Sequence, residues 1–211
     1  MKKVLIALVI IIVFAFIAFK YMMQAKDLGV KADTSLVTAF EEKYGKSNGS
    51  GKIDLDVNLS SEEITSVFAV WEERDRSFPL RDVQIKFNVD GTGEASGYIK
   101  IATAINLAKN LGYSDTDIEK GKEYIKYVSG DLPFYVAGTG GISSNALSVN
   151  PTNFQIAKIN VPDSITKPAS AVVSDMITRR IKQIGGADIK DASFKSGSFH
   201  LQGSVPETIK Y

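Results

Sequence analysis

The chain has 211 residues, 25 basic and 24 acidic side chains for a net charge of +1, no cysteine, one tryptophan and one histidine. Without cysteine it makes no disulfide, no thiolate metal site and no cysteine nucleophile. Evenly mixed charge offers no basic face for nucleic acid, and a metal site would rest on carboxylates alone, with no EF-hand loop to arrange them.

Residues 4–19 are an unbroken apolar run behind Lys2 and Lys3 and ahead of Lys20. As a helix the run is roughly 24 Å long, short of the ~30 Å hydrocarbon core, and Tyr21, Met22 and Met23 continue its character. The leading cations place the N-terminus in the cytoplasm. A signal peptide begins in the same way, but Phe16, Phe19, Met22 and Met23 stand where a cleavage site wants small residues. The expectation is an uncleaved single-pass anchor over residues 1–23, seated in the cell membrane with the main domain extracytoplasmic. Residues 24–51 read as a stalk with a short helix from Thr34 to Tyr44, then a flexible linker from Gly45 to Gly51. The folded domain is expected over 52–211.

Ile53, Leu55, Val57 and Leu59 alternate with Lys52, Asp54, Asp56 and Asn58, the pattern of a half-buried strand whose acids face solvent. Ser60 and Glu63 form a capping box for a helix. Ile64, Val67, Phe68 and Trp71 make its apolar stripe, expected to pack on the sheet. Val83, Ile85, Phe87 and Val89 alternate again, Asp90-Gly91 is a hairpin turn, and Gly97 in the return strand marks a bulge or a close approach. Residues 102–128 read as helical.

A second β run starts at Leu132. Gly138-Thr139-Gly140-Gly141 lacks the P-loop lysine and a following helix, so it reads as a glycine-rich strand bend or hairpin rather than a phosphate loop. Strands are expected at Ala146 to Val149 and Phe154 to Val161, with Asn150-Pro151-Thr152-Asn153 between them. Val172, Val173, Met176, Ile177, Ile181 and Ile184 form the stripe of a further amphipathic helix that ends at Gly185-Gly186. A closing hairpin turns near Ser196-Gly197. His200 reads as an ordinary strand residue, because nothing marks a nucleophile elbow.

These elements make an α+β domain, a curved antiparallel sheet of about seven or eight strands packed on two amphipathic helices. The order of pieces resembles a known pattern: "LSSEEI" (Leu59 to Ile64), "PLRDVQIKFNVDGTGEASGYI" (Pro79 to Ile99), "LPFYVAGTGGISSNALSV" (Leu132 to Val149) and "INVPDSI" (Ile159 to Ile165). It is similar to the small single-pass extracytoplasmic bacterial proteins of the YpmS type. More distantly it resembles the LmeA-like and BPI-like tubular lipid-binding proteins. The resemblance implies a sheet wrapped on an amphipathic helix, a lipid chain as ligand, and no transferable catalytic residue. The first functional expectation is a membrane-tethered, non-enzymatic module, without cofactor, that binds or shields lipid or lipid-linked envelope intermediates. Its candidate lipid contacts are Val67, Phe68, Trp71, Val173, Met176 and Ile177, with Trp71 and Met176 lining a gap between the helices. The alternative is a structural or assembly subunit that pairs with a cell-envelope protein complex.

Overall fold

The computed structural model describes residue 17 and residues 20–45, 49–116, 118–119, 122 and 130–207. The apolar run, apart from Ile17, lies outside these residues, as does most of 117–129, the end of the expected 102–128 helix. Among the described residues no helix is long and apolar enough to cross a membrane. The described chain is α+β, an open antiparallel sheet of eight strands with helices beside it. In order it runs α1 (Thr34–Tyr44), β1 (Lys52–Leu59), α2 (Ser61–Arg74), β2 (Leu80–Phe87), β3 (Gly93–Lys100), α3 (Ile101–Asn110), β4 (Asp131–Ser143), β5 (Ala146–Ile156), β6 (Ile159–Asn160), α4 (Asp163–Gln183), β7 (Asp188–Lys195) and β8 (Ser198–Pro206).

Local chemistry sets the element ends. Ser60 accepts the Glu63 amide and Glu63 accepts the Ser60 amide, so two helix-end donors of α2 are satisfied reciprocally. At the β2–β3 turn Asp90 accepts from the Thr92 amide at 2.9 Å and its hydroxyl at 2.7 Å, and Gly91 takes the left-handed conformation. Ser196 and Gly197 both have positive φ and close the β7–β8 hairpin. Gly112, also left-handed, ends α3, and the described residues 115–116, 118–119 and 122 are helical again.

β4 is the central strand. One of its edges pairs with β5 from Phe134 to Ser143. The other pairs first with β3, from Asp131 to Gly138, and then with β7, from Gly141 to Ser143. The glycine run sits where the partner changes. A side chain at Gly138 would collide with the Asn150 carbonyl, and one at Gly141 would lie 2.6 Å from the Ala192 carbonyl oxygen. Phe194 fills the junction, its ring 5.3 Å from that of Phe87 and 6.0 Å from Phe199. Gly93 makes room for it, since a Cβ there would stand 2.8 Å from the Phe194 ring. The full order is β1-β8-β7-β4-β3-β2, with β5 and then β6 on the remaining edge of β4.

Two sequence expectations change, and a third, the bulge or close approach at Gly97, is met. β5 runs unbroken through Asn150–Asn153, because the extra residue Thr152 is absorbed as a bulge between the Ala137–Asn153 and Gly138–Pro151 pairs. The run expected as one strand to Val161 is cut by a turn at Ala157 and Lys158, both at positive φ, and β6 is a two-residue return. The bulge signalled by Gly97 lies on its neighbour β2, between Arg81 and Gln84, with Arg81 O 2.9 Å from where a Cβ would stand.

The stretch expected as a stalk is docked from Gln24 to Asp33. Leu28 and Val30 are buried and form a core cluster with Tyr135. The Leu28 amide donates to Gln84 at 2.7 Å, and the Ala25 amide donates to Tyr98 at 3.2 Å. Apolar alternation at 28 and 30 suits the pleated surface, and the main-chain donors find partners on the strands. α1 follows, capped by Asp33, whose own amide donates to Ser66 of α2 at 2.8 Å.

Candidate functional site

The candidate contacts fall on two helices, one along the edge strand β2 and one along β5, whose outer side is open except at the two-residue β6. α2 lies against β2. The outer edge of β2 has N–H and C=O groups with no further strand to pair them. α2 supplies the partners: Ser61 accepts from the Phe87 amide at 2.9 Å, Thr65 from the Ile85 amide at 2.9 Å, and Glu72 from the Asp82 amide at 2.9 Å. The Thr65 hydroxyl also donates to the Ile85 carbonyl at 3.3 Å. Leaving buried backbone polar groups unpaired costs more than exposing part of an apolar stripe, so the helix turns its polar side inward. Thr65, Ser66 and Val70 are buried in place of the expected stripe. Val67 and Phe68 are half-buried, and Trp71 is 44% exposed. Phe68, Trp71 and Phe78 form an aromatic cluster with centroids 5.6 to 5.9 Å apart.

α4 lies against β5 in a similar way. Thr178 accepts the Leu147 amide at 3.0 Å, and Ile181 is buried. A second side of the helix meets the chain beyond α3: Asp175 accepts from the Tyr113 hydroxyl, and Arg179 donates to the Leu111 carbonyl at 3.3 Å. The Tyr113 hydroxyl is the main cause that holds Asp175 below the ordinary carboxylate range, against slight desolvation and with help from Arg179. The remaining arc carries Val172, Val173 and Ile177, 46, 47 and 41% exposed, with Ile165 exposed and Met176 half-buried.

The structure therefore does not bring the six candidates together. Val67, Phe68 and Trp71 belong to the β2 edge, and Val173, Met176 and Ile177 to the β5 edge. β3 and β4 stand between, a separation of about 14 Å at the usual strand spacing. The expected gap between Trp71 and Met176 is replaced by two separate surfaces. Sequence reasoning missed the edge-capping residues Ser61, Thr65 and Glu72. Their signal was a hydroxyl pair four residues apart, on the flank of the apolar stripe.

Elsewhere, a shallow recess of about 350 Å³ lies over β4, β5 and β7, lined by Thr139, Gly141, Ser148, Asn150, Asp191 and Ser193. Ile142, Ala146 and Ala192 also line it, so its wall is mixed rather than polar. His200 stands opposite Ser193 and Asn58, with Nδ1 3.2 Å from Asn58 Oδ1 and Nε2 3.7 Å from Asp56 Oδ1. The Ser193 hydroxyl donates to Asp191 at 3.3 Å. Among the described residues no group of three or more His, Asp or Glu side chains is placed to hold a metal. Comparison of the chain with family models, with curated proteins and with solved structures finds no match.

Proposed function

We propose that this chain is a membrane-tethered, extracytoplasmic, non-enzymatic module that engages lipid or a lipid-linked envelope intermediate on an open apolar surface. The observation that carries the reading is the arc of Val172, Val173 and Ile177 on α4, left exposed while Thr178 and Ile181 hold the helix to β5. An apolar stripe on a helix that is already fixed on two sides gains by covering itself, at about 0.8 kcal/mol per CH₂ buried. The apolar run of residues 4–19 as a transmembrane helix would keep that stripe close to lipid, and the resemblance to tubular lipid-binding proteins points the same way. A second reading, an assembly subunit of an envelope complex, draws on the openness of the same arc, which a protein helix can cover as well as an alkyl chain.

The absence of cysteine makes the test direct. Val173→Cys carries an environment-sensitive dye on the full chain in nanodiscs, titrated with phospholipid and with a polyprenyl phosphate. A saturable blue shift, absent for a dye at Val89→Cys, is the expected result. No shift with either lipid on a folded chain removes the lipid reading and leaves the assembly subunit. A C-terminal reporter active only outside the membrane, with the original N-terminus recovered by Edman sequencing, tests the tether.

A further inference from the structure

One transverse row of the sheet links features far apart in sequence. Gly97 of β3 abuts the β2 bulge at Asp82 and pairs with Phe134. Phe134 pairs with Ile156, and Ile156 with Ile159 of β6. Glu72 accepts the Asp82 amide, so the C-terminal end of α2, with Trp71, lies at the same level. The row thus runs from Trp71 at the β2 side to Ile159 at the β6 side. Ile159 is 59% exposed, although it is a large apolar side chain in a strand.

The N-terminal segment enters at this end. Lys158 Nζ stands 3.2 Å from the centre of the Tyr21 ring, and the Ala25 amide is bonded to Tyr98 near the end of β3. The last apolar residue of the run, Phe19, is only two positions before Tyr21. No spacer separates the run from the sheet. The turn that presents Lys158 pairs two left-handed residues, as the Ser144–Asn145 turn does. Ala157 and Lys158 have φ of 49° and 62°, a conformation that Asn-Gly adopts without strain. Lys158 there holds its cation over the Tyr21 ring, where the chain enters.

We propose that this end of the sheet rests on the bilayer that holds residues 4–19, with Trp71 and Ile159 in the interface and Lys158 at the lipid phosphates. The inference rests on the tether reading above. Tryptophan and tyrosine favour the headgroup level, and a lysine stem lies along apolar surface while its ammonium reaches the phosphates. The opposite end, with Val89 and the Asp90-Gly91 and Ser196-Gly197 turns, then points away from the membrane. Along the strands it lies roughly 20 Å further on.

The test uses the full chain reconstituted in phosphatidylcholine and phosphatidylglycerol vesicles whose acyl chains carry bromine, a short-range quencher. Trp71, the only tryptophan, is the native probe. Ile159→Trp and Val89→Trp, each with Trp71→Phe, report the other two positions, and circular dichroism checks their fold. Emission from Trp71 and from Ile159→Trp is expected to be at least halved relative to unbrominated vesicles, and that from Val89→Trp unchanged. Adding Lys158→Glu should weaken the quenching of Ile159→Trp. A chain that floats with the vesicles but leaves Trp71 unquenched, or quenches Val89→Trp equally, overturns the orientation alone. A chain that does not float with vesicles overturns the tether reading, and the orientation with it.

Discussion

Thr65 occupies the open edge of β2 and makes with Ile85 both hydrogen bonds that a neighbouring strand would make, accepting its amide at 2.9 Å and donating to its carbonyl at 3.3 Å. A helix side chain here substitutes for a strand. Exposed edges invite pairing with other chains, and a hydroxyl row along a helix closes the edge without adding a strand. Thr65→Val keeps shape and removes both bonds, so the Ile85 amide and carbonyl are buried unpaired. The expected loss is about 1–3 kcal/mol in denaturant unfolding. Thr65→Ser keeps the hydroxyl and should lose less.

The docked N-terminal segment depends on a charged cluster. Lys26 Nζ is 3.2 Å from Glu94 and 3.6 Å from the Tyr135 ring centre, and the Tyr135 hydroxyl donates to Glu94 at 2.7 Å. The Tyr135 hydroxyl, then Lys26 and Asn88, hold Glu94 below the ordinary carboxylate range against its desolvation. Desolvation opposes the Lys26 ammonium, but Tyr135 and Glu94 outweigh it and leave Lys26 above its usual value. Tyr135 is raised, chiefly by burial. For a lowered carboxyl, the stabilisation is present above its unfolded pKa and lost as pH falls through the folded one. For the raised lysine and tyrosine it is present below their unfolded values and lost as pH rises through the folded ones. Protection of the Leu28 amide from hydrogen exchange, corrected for intrinsic rates, should therefore form a plateau that drops on both sides. Glu94→Gln should remove the acid drop.

Two glycines separate steric need from flexibility. Gly138→Ala drives a methyl into the Asn150 backbone and should cost ~3 kcal/mol or more, read as a large fall in Tm. Gly185 has open space around it and no positive φ, so Gly185→Ala should change stability by about 1 kcal/mol or less. Equal effects would mean that the strand crossing at β4 is not as tight as described.

α4 gives the clearest departure from its helical pattern. The apolar stripe alone predicts that a charge at Ile177 unfolds the domain. With Ile177 41% exposed and Ile181 buried, Ile177→Asp should cost about 1 kcal/mol or less, and Ile181→Asp ~3 kcal/mol or more. Chemical denaturation of the two variants, compared with the parent chain, decides it.

Much of the secondary structure was legible because its signals are local. The Lys52–Leu59 alternation, the Ser60–Glu63 box, the Asp90-Gly91 turn and the Ser196-Gly197 turn each follow from a few neighbouring residues and recur in the fold. So does the glycine run at 138–141 as strand rather than phosphate loop, since the missing lysine and helix were visible without coordinates. Which side of a helix faces inward was not local. Periodicity marks Ile64, Val67, Phe68 and Trp71 as one stripe but says nothing of what the helix will meet. Only the sheet order makes β2 an edge strand and leaves β5 open on its outer side except where the two-residue β6 pairs with it, and only such open sides offer N–H groups that Ser61, Thr65, Glu72 and Thr178 can satisfy. The same holds for Leu28 and Val30, whose short alternation resembles a stalk until Tyr135 is placed beneath them. The sequence by itself determined where strands, turns and apolar stripes lie, because those depend on steric and hydrogen-bonding preferences of adjacent residues. Tertiary structure alone decided which surfaces stay exposed, because burial is settled by competition among distant groups for the same unpaired backbone.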